Sequence, residues 1–166
     1  MGMVMNEIVF RPIGVIRSPF KESRGTPIQP ASAEGVEGKV EVFEEYVDGL
    51  KDLDGFSKMI LIYHFHLARE PKMTVLPFMD DVEHGVFATR APARPNPIGI
   101  SVVDLLSVEG KVLRVRNIDI VDNTPLLDIK PYTTKFDVFE IEKEGWLEKN
   151  VRKLQKTRDD GRFSRD

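Results

Sequence analysis

Proline and glycine divide this chain into short segments, and this punctuation restricts its fold more than any other feature. The 11 prolines and 12 glycines are spread through most of the 166 residues, where they interrupt helices and end strands. The segments between them are short and rich in β-branched side chains. Regularly spaced short strands are typical of a barrel or sandwich. We predict a mainly β protein, a small β-barrel with peripheral short helices and a C-terminal helix.

The pattern divides the chain into a barrel domain over residues 1–140 and a C-terminal helix and tail over residues 141–166. Helical signal is confined to residues 44–53 and 146–156; in the second, Leu147, Val151 and Leu154 recur at helical spacing. The polar residues from 159 onward are expected to fray. The predicted strands are 8–10, 14–16, 39–43, 59–66, 85–89, 100–106, 111–115, 118–121, 128–130 and 138–141.

Composition excludes several classes of protein. The chain has no cysteine, which rules out disulfides, thiolate metal sites and a cysteine nucleophile and suits a cytoplasmic location. No apolar run approaches the ~20 residues of a membrane span, so no membrane association is predicted. A formal net charge of -3 gives no overall attraction to nucleic acid. Any RNA contact therefore needs a local basic face.

A proline-rich stretch, residues 85–105, lies between two strand-like runs. Proline fixes φ and keeps the preceding residue extended, so Arg90, Arg94 and Asn96 would be held rigidly while presenting charge and hydrogen-bond donors. A binding loop fits this pattern, and so does a rigid connection with solvated arginines.

Residues 119–132 crowd acidic, basic and phenolic side chains around a turn at residues 123–125. Acid–base catalysis needs such groups close together. The alternative is a hairpin turn whose aspartates cap backbone N–H groups and whose lysine pairs with them. The side chains concerned are Asp119, Asp122, Asp128, Lys130 and Tyr132.

Two of the three histidines, His64 and His66, end a predicted strand and would share one face, because side chains alternate along a strand. A metal site needs more ligands, and the remaining histidine is His84, beside three acidic residues within 80–83. No metal-ligand spacing such as HExxH is present. We predict no metal, with a small metal-dependent barrel as an alternative. The absence of GxGxxG, GxxxxGK[ST] and GxSxG argues against Rossmann and P-loop nucleotide sites and against a serine hydrolase.

Five long, ordered elements carry a resemblance to a known family. They are RPIGVIRSPF (11–20), PIQPA (27–31), GLKDLDGFSKMILIYHFH (49–66), GVFATR…RPNPIG (within 85–99) and D…TP…DIKPY (within 122–132). Together they resemble the TsaA-like family, also called TrmO, of tRNA methyltransferases. The resemblance implies a small β-barrel that binds S-adenosylmethionine (SAM) outside any Rossmann framework and acts as a homodimer. It also implies methylation of N6 of threonylcarbamoyladenosine beside the tRNA anticodon.

The resemblance also implies roles for individual residues. It puts SAM contacts at Pro27, Ile28, Gln29, His66, Leu67, Arg90, Ile100, Arg116, Asn117, Ile118 and Asp119. It puts Arg94, Asn96 and Thr124 on the substrate side, and the catalytic candidates are Asp122, Asp128, Lys130 and Tyr132. The two aspartates are base candidates, and Lys130 or Arg94 would hold the threonyl carboxylate. The active site would lie between the Arg90 loop, residues 119–132 and a partner subunit.

Three positions depart from the family pattern. Ile28 stands where the family usually has arginine, which removes a cation that could have met a cofactor carboxylate or an RNA phosphate. Ile60 stands where a tryptophan is common. Asn123 replaces a turn glycine, which is tolerated because asparagine adopts left-handed backbone geometry.

A basic cluster follows the predicted barrel. Two interpretations fit this cluster. The basic side chains form a direct RNA contact, or they form a solvated helix face, which the presence of Glu144 and Glu148 on the same helix favours. Its members are Lys149, Arg152, Lys153, Lys156 and Arg158. We expect a cytoplasmic SAM-dependent tRNA methyltransferase; the alternative is a SAM-binding regulatory or RNA-binding protein without methyl transfer.

Overall fold

Six antiparallel strands close into a barrel in the computed structural model, which describes residues 7–165. The strands of the chain are β1 Gly14–Arg17, β2 Glu37–Val42, β3 Lys58–His64, β4 Thr74–Val75, β5 His84–Gly85, β6 Ile98–Glu109, β7 Val112–Arg116 and β8 Thr124–Pro131. Around the barrel the order is β1, β2, β7, β6, β3, β8, and β4 and β5 pair separately as a two-stranded sheet. The prediction of a mainly β barrel is confirmed.

The helical elements are short and lie outside the barrel. They are α1 Thr134–Asp137, α2 Leu147–Asn150 and the 3-10 turns Pro30–Ser32, Glu44–Leu50, Leu53–Gly55, Val86–Ala88 and Val151–Lys153. Across residues 7–165, no helix is both long enough and apolar enough to cross a bilayer.

Alternation along each strand fills the barrel interior. In β3, Met59, Leu61 and Tyr63 are buried while the residues between them are more accessible, as expected for side chains that point to opposite faces. Burial of this apolar surface is the main stabilising contribution to the barrel. The side chains that are fully buried in this core are Ile16, Val40, Met59, Leu61, Val103, Leu113, Val115, Ile118 and Leu126.

A β-bulge changes which side chains of β8 face outward. The register between β3 and β8 shifts between Ile62 and Tyr63, so that Leu126 lies opposite Tyr63 and Ile129 lies opposite Leu61. One extra residue reverses the alternation. Asp128 and Lys130 consequently lie outside the barrel, where Lys130 Nζ is 3.0 Å from Asp128 Oδ2.

Several local predictions were wrong. Residues 8–10, 118–121 and 138–141 form no strand, and of residues 85–89 only Gly85 belongs to one, because a 3-10 turn begins at Val86. In the second segment Ile118 and Ile120 are buried, so their alternation reflects packing at the barrel end rather than strand pairing. The segments 8–10 and 138–141 expose their apolar side chains.

The two predicted helices are also broken up. Residues 44–53 form two 3-10 turns separated at Asp52, whose φ is 68°. Residues 146–156 form α2 and one further 3-10 turn. Short helices have little stability of their own, so tertiary contacts decide their form.

Residues 163–165 pack against the segment that follows β3 rather than fray, and residue 166 lies outside the described residues. Arg165 N donates to Leu67 O at 2.8 Å, and Arg69 N donates to Phe163 O at 2.8 Å. Phe163 is buried. The end of the described chain therefore lies beside the segment that follows β3.

Candidate functional site

A cavity of about 710 Å³ lies at the end of the barrel where β3 ends and β6 and β8 begin. Its size falls within the roughly 300–1,000 Å³ of small-molecule sites. Aromatic and aliphatic side chains form most of its walls, and a few polar groups converge on it. The lining residues come from five parts of the chain: 23–29, 63–68, 77–100, 119–124 and 146–164.

A hydrogen-bonded chain of three side chains runs from the barrel interior to the cavity. The Tyr63 hydroxyl lies 2.9 Å from Ser101 Oγ, and Ser101 Oγ donates to Asp119 Oδ1 at 2.6 Å. Burial and the neighbouring Asp119 carboxylate raise the pKa of Tyr63 well above its ordinary value. Tyr63 therefore stays protonated and donates toward Ser101, which directs the chain of donors at Asp119.

Asp119 has a strongly perturbed pKa. Burial raises the pKa of this carboxyl to about 7, although the Ser101 hydrogen bond and the Arg90 charge act in the opposite direction. A carboxyl of this kind in a cavity is a candidate for ligand binding. Near neutral pH it exists in both protonation states.

Gly99 has no side chain, and the Tyr63 ring packs directly against its backbone. A Cβ at Gly99 would lie 2.3 Å from the Tyr63 ring and 2.8 Å from the Phe65 ring. The two rings pack edge to face at 5.4 Å between centroids. Only glycine permits this close approach of backbone and aromatic side chains.

Arg90 connects two of the segments that sequence reasoning singled out. Its Nη1 donates to Gln29 Oε1 at 3.0 Å. Arg94 instead turns back on its own loop, where Nη1 donates to Thr89 O at 2.9 Å. Arg90 is thus available to a ligand, whereas Arg94 also holds the proline-rich loop in shape.

A C-terminal strap, residues 146–164, forms one wall of the cavity. Trp146 Nε1 donates to Ala88 O at 2.8 Å, and its ring stacks on His84 at 4.9 Å between centroids. Gln155 Nε2 donates to Ala31 O at 2.9 Å. The side chains of the strap that line the cavity are Trp146, Leu147, Val151, Leu154, Asp159, Phe163 and Ser164.

Most of the predicted cofactor and substrate residues meet in this cavity. Its lining includes Pro27, Ile28, Gln29, His66, Leu67, Arg90, Arg94, Asn96, Ile100, Asp119 and Thr124. Three others do not line it. Ile118 lies in the barrel core, Arg116 pairs with Asp104, and Asn117 adopts a φ of 67° with its Oδ1 accepting from Gly35 N. These three residues fix the conformation of the segment immediately before Asp119.

The four predicted catalytic residues lie outside the cavity of their own subunit. Burial acts to raise the pKa of Asp122, but hydrogen bonds from Lys21 and from the Ser18 backbone hold it below its ordinary value. Asp128 and Lys130 pair on the outer face of β8. At roughly 3.3 Å per strand residue, Lys130 lies about 20 Å along β8 from Thr124 at the cavity. Tyr132 follows the same far end of β8.

The histidines occupy separate environments. β3 ends at His64, and a turn then carries His66 into the cavity wall, so the alternation that would have placed them on one face stops. Burial and the neighbouring His64 lower the pKa of His66. His84 Nε2 lies 2.7 Å from Asp80 Oδ2. In the described part of the chain, no three histidine, aspartate or glutamate side chains are grouped as a metal site requires.

Sequence reasoning missed several residues that build the cavity. Phe78 packs edge to face on Phe163 at 5.0 Å, and Phe87 and Trp146 also line the wall. The apolar spacing of Leu147, Val151 and Leu154 was the available signal, since a stripe of this kind needs a surface to cover. Nothing in it indicated which surface.

A closed barrel with a mixed apolar and charged cavity at its end defines a β-barrel protein that binds a small molecule. The family described as tRNA-methyltransferase O N-terminal domain matches residues 15–138. The chain belongs to this family, as its sequence elements indicated.

Relatives and solved structures agree with this membership. The chain is 62% identical over 156 residues to a probable S-adenosyl-L-methionine-binding protein of Pyrococcus abyssi, covering 94% of this chain and 85% of the relative. It is 38% identical over 138 residues to the tRNA (adenine(37)-N6)-methyltransferase of Escherichia coli, covering 77% of this chain and 59% of that protein. A crystal structure of TrmO from Pseudomonas aeruginosa superposes with a TM-score of 0.73 at 35% identity, over 87% of this chain and 63% of the other.

Proposed function

We propose that this chain is a SAM-dependent methyltransferase that methylates N6 of threonylcarbamoyladenosine next to the tRNA anticodon. The observation that carries the proposal is the meeting of Arg90, Asp119 and apolar walls in one cavity of a chain from this family. Relatives named as a tRNA methyltransferase and as SAM-binding proteins support the reaction and its cofactor. The family and the lack of cysteine both suit a cytoplasmic enzyme.

The cavity has the donor set that SAM requires. Asp119 can accept hydrogen bonds from ribose hydroxyls, and the Arg90 guanidinium can bind the carboxylate of the amino-acid end. Ile100, Leu67 and the strap offer apolar surface for an adenine ring. Bound there, SAM supplies an electrophilic methyl group on its sulfonium sulfur.

Two of the predicted catalytic residues, Asp128 and Lys130, act from the partner subunit in this proposal. At about 3.3 Å per residue, Asp128 and Lys130 lie about 13 Å and about 20 Å along β8 from Thr124 at the cavity of their own subunit, so in this proposal a second copy supplies them. Asp128 is then placed to accept the N6 proton, and Lys130 to hold the threonyl carboxylate. Arg94, Asn96 and Thr124 border the nucleoside within the cavity's own subunit.

Exposed apolar side chains support a homodimer. Phe136, Phe139 and Ile141 follow the far end of β8 and are 73%, 78% and 65% exposed. Large contiguous apolar patches are rare on monomers and mark interaction sites. These residues adjoin Asp128 and Lys130 along the chain, so a dimer formed through them would cover the same region of the barrel.

Methyl transfer to defined RNA tests the proposal. Threonylcarbamoylated tRNA, incubated with the protein and methyl-labelled SAM, should gain a methyl group on the modified adenosine, which nucleoside mass spectrometry would locate. Unmodified tRNA is the matched control. Transfer to neither RNA, by protein that binds S-adenosylhomocysteine in calorimetry, would contradict the proposal.

That last outcome would favour the second candidate, a SAM-binding regulatory or RNA-binding protein without methyl transfer. Two observations favour it. Several relatives are named only as SAM-binding proteins, and the predicted catalytic side chains do not line the cavity of their own subunit.

A further inference from the structure

The C-terminal strap has two faces with different chemistry. Leu147, Val151 and Leu154 line the cavity. The strap's basic side chains Lys149, Arg152 and Lys156 are exposed and do not line it. We call these three residues the cationic face of the strap. The strap lies beyond residues 15–138, which the family description covers.

The cationic face has no acidic partner among residues 7–165. Residues 146–158 contain five lysines and arginines and one acid, Glu148. Glu148 Oε1 accepts a hydrogen bond from Glu144 N, and Asp160 pairs with Arg162. Within residues 7–165, no ion pair involves Lys149, Arg152 or Lys156.

Many cations elsewhere in the described chain are neutralised by a neighbouring carboxylate. Seven lysines and arginines of the barrel and its adjoining loops each form an ion pair with a carboxylate: Arg17, Lys21, Lys58, Lys111, Arg114, Arg116 and Lys130. Lysines without an ion pair elsewhere in the described chain, such as Lys39, Lys51 and Lys72, lie far apart in the sequence, whereas the cations of the strap are closely spaced. In a chain with a formal net charge of -3, the strap is therefore a local concentration of positive charge beside the cavity. Such a local field attracts a polyanion despite the overall negative charge.

We propose that Lys149, Arg152 and Lys156 bind the phosphate backbone of the RNA whose base enters the cavity. This rests on the proposed function, which makes RNA the substrate. A nucleotide that reaches into the cavity brings its flanking phosphates to the rim, and the strap is part of that rim. Lysine and arginine neutralise phosphates and release counterions, which supplies sequence-independent affinity.

The packing of the strap argues for RNA rather than an anionic membrane. A basic helix that lies on a bilayer buries an apolar face among the acyl chains. Here the apolar side of the strap covers the cavity, and Trp146 donates its indole N–H to Ala88 O. The strap therefore presents positive charge to a polyanion, while Leu147 and Leu154 are partly buried against the protein and Val151 is half exposed.

Binding of tRNA transcripts to a charge-neutralised variant tests the proposal. The variant carries Lys149→Gln, Arg152→Gln and Lys156→Gln. The control carries Lys39→Gln, Lys51→Gln and Lys111→Gln, which removes the same charge from exposed lysines outside the strap, one of which, Lys111, is paired with Glu44. Unmodified tRNA transcript is the probe, and its Kd is measured at several salt concentrations. S-adenosylhomocysteine affinity and the far-ultraviolet spectrum report on the cavity and the fold.

The strap variant should bind the transcript about tenfold more weakly, with a salt slope smaller by about 0.7–0.9 for each phosphate that the protein no longer neutralises. The control and S-adenosylhomocysteine affinity should stay near wild type. Equal transcript affinity of strap variant and control would overturn the proposal, as would wild-type binding to anionic phosphatidylglycerol vesicles without binding to the transcript. Failure of the proposed function would show separately, as absent methyl transfer by wild-type protein that binds the transcript.

Discussion

At the scale of the residue, the Asp119 carboxyl should make ligand binding depend on pH. Because its pKa is raised to about 7, lowering the pH through that value protonates it and removes its best acceptor for ribose hydroxyls. We expect affinity for S-adenosylhomocysteine to fall by about tenfold between pH 8 and pH 6 and to level off above pH 8. Calorimetry across this range measures it. In Asp119→Asn the affinity should be lower throughout and nearly independent of pH, and a wild-type slope in this variant would assign the titration to another group.

The same carboxyl should affect stability in the opposite sense. Its pKa is raised on folding, so the folded state binds the proton more tightly than the unfolded state does. The stability that the protonated carboxyl contributes is fully present below about pH 4. It decreases as the pH rises from there to about 7, and above pH 7 the stability no longer depends on this group. Asp119→Asn should therefore gain stability relative to wild type at pH 8 but not at pH 4, as measured by denaturant unfolding. An equal effect of the substitution at both pH values would contradict the burial of an ionisable Asp119.

Gly99 provides a steric prediction at this scale. Gly99→Ala places a methyl group against the Tyr63 ring, which is buried and hydrogen-bonded to Ser101 and cannot move freely. We expect a loss of about 1–3 kcal/mol in the free energy of unfolding, measured with denaturant. Gly49→Ala is the control, since a Cβ there meets no atom within 4 Å. Equal stability of the two variants would mean that the Tyr63 ring moves aside without cost.

At the scale of the element, the strap should retain the ligand through Trp146. Trp146→Ala removes the hydrogen bond to Ala88 O and the stack on His84, which frees the strap from the opposite wall. We expect S-adenosylhomocysteine to bind about 30-fold more weakly, since a hydrogen bond and an aromatic contact of about 1 kcal/mol each sum to about 2 kcal/mol. Calorimetry measures the loss. Trp146→Phe keeps an aromatic ring, so its affinity for S-adenosylhomocysteine should lie between those of wild type and Trp146→Ala. Unchanged affinity in a folded Trp146→Ala variant would mean that the strap does not help to retain the ligand.

At the scale of the whole molecule, mixing inactive variants tests whether two subunits share one active site. In the proposed homodimer, Asp119→Ala would damage the cofactor cavity of its own subunit, and Lys130→Ala would damage the cavity of the other subunit. Random exchange makes half of the dimers heterodimers, and each of these has one intact site, so about a quarter of wild-type activity should return. Single-turnover methylation after mixing and refolding measures it. No recovery, with both variants dimeric by light scattering, would place Lys130 outside the shared site.

The local pattern of the sequence determined the barrel strands and most of the cavity. Alternation in Met59, Leu61 and Tyr63 depends only on neighbours along the chain, because side chains of a strand point to opposite faces. Turn geometry was equally local: Asn123 has a φ of 65°, as a residue replacing a turn glycine should. The family motifs identified Arg90 and Asp119, which do line the cavity.

Other features depended on the tertiary structure, because contacts between distant parts of the chain produce them. The bulge between β3 and β8 reversed the alternation that would otherwise turn Asp128 inward. Segments with little helical stability of their own became short turns once the strap was tied to the loop before Thr89. The raised pKa of Asp119 comes from its burial at the barrel end, against the opposing effect of a hydrogen bond from Ser101 on β6. Sequence thus named the chemical groups, while packing decided which of them share one cavity and in which charge state.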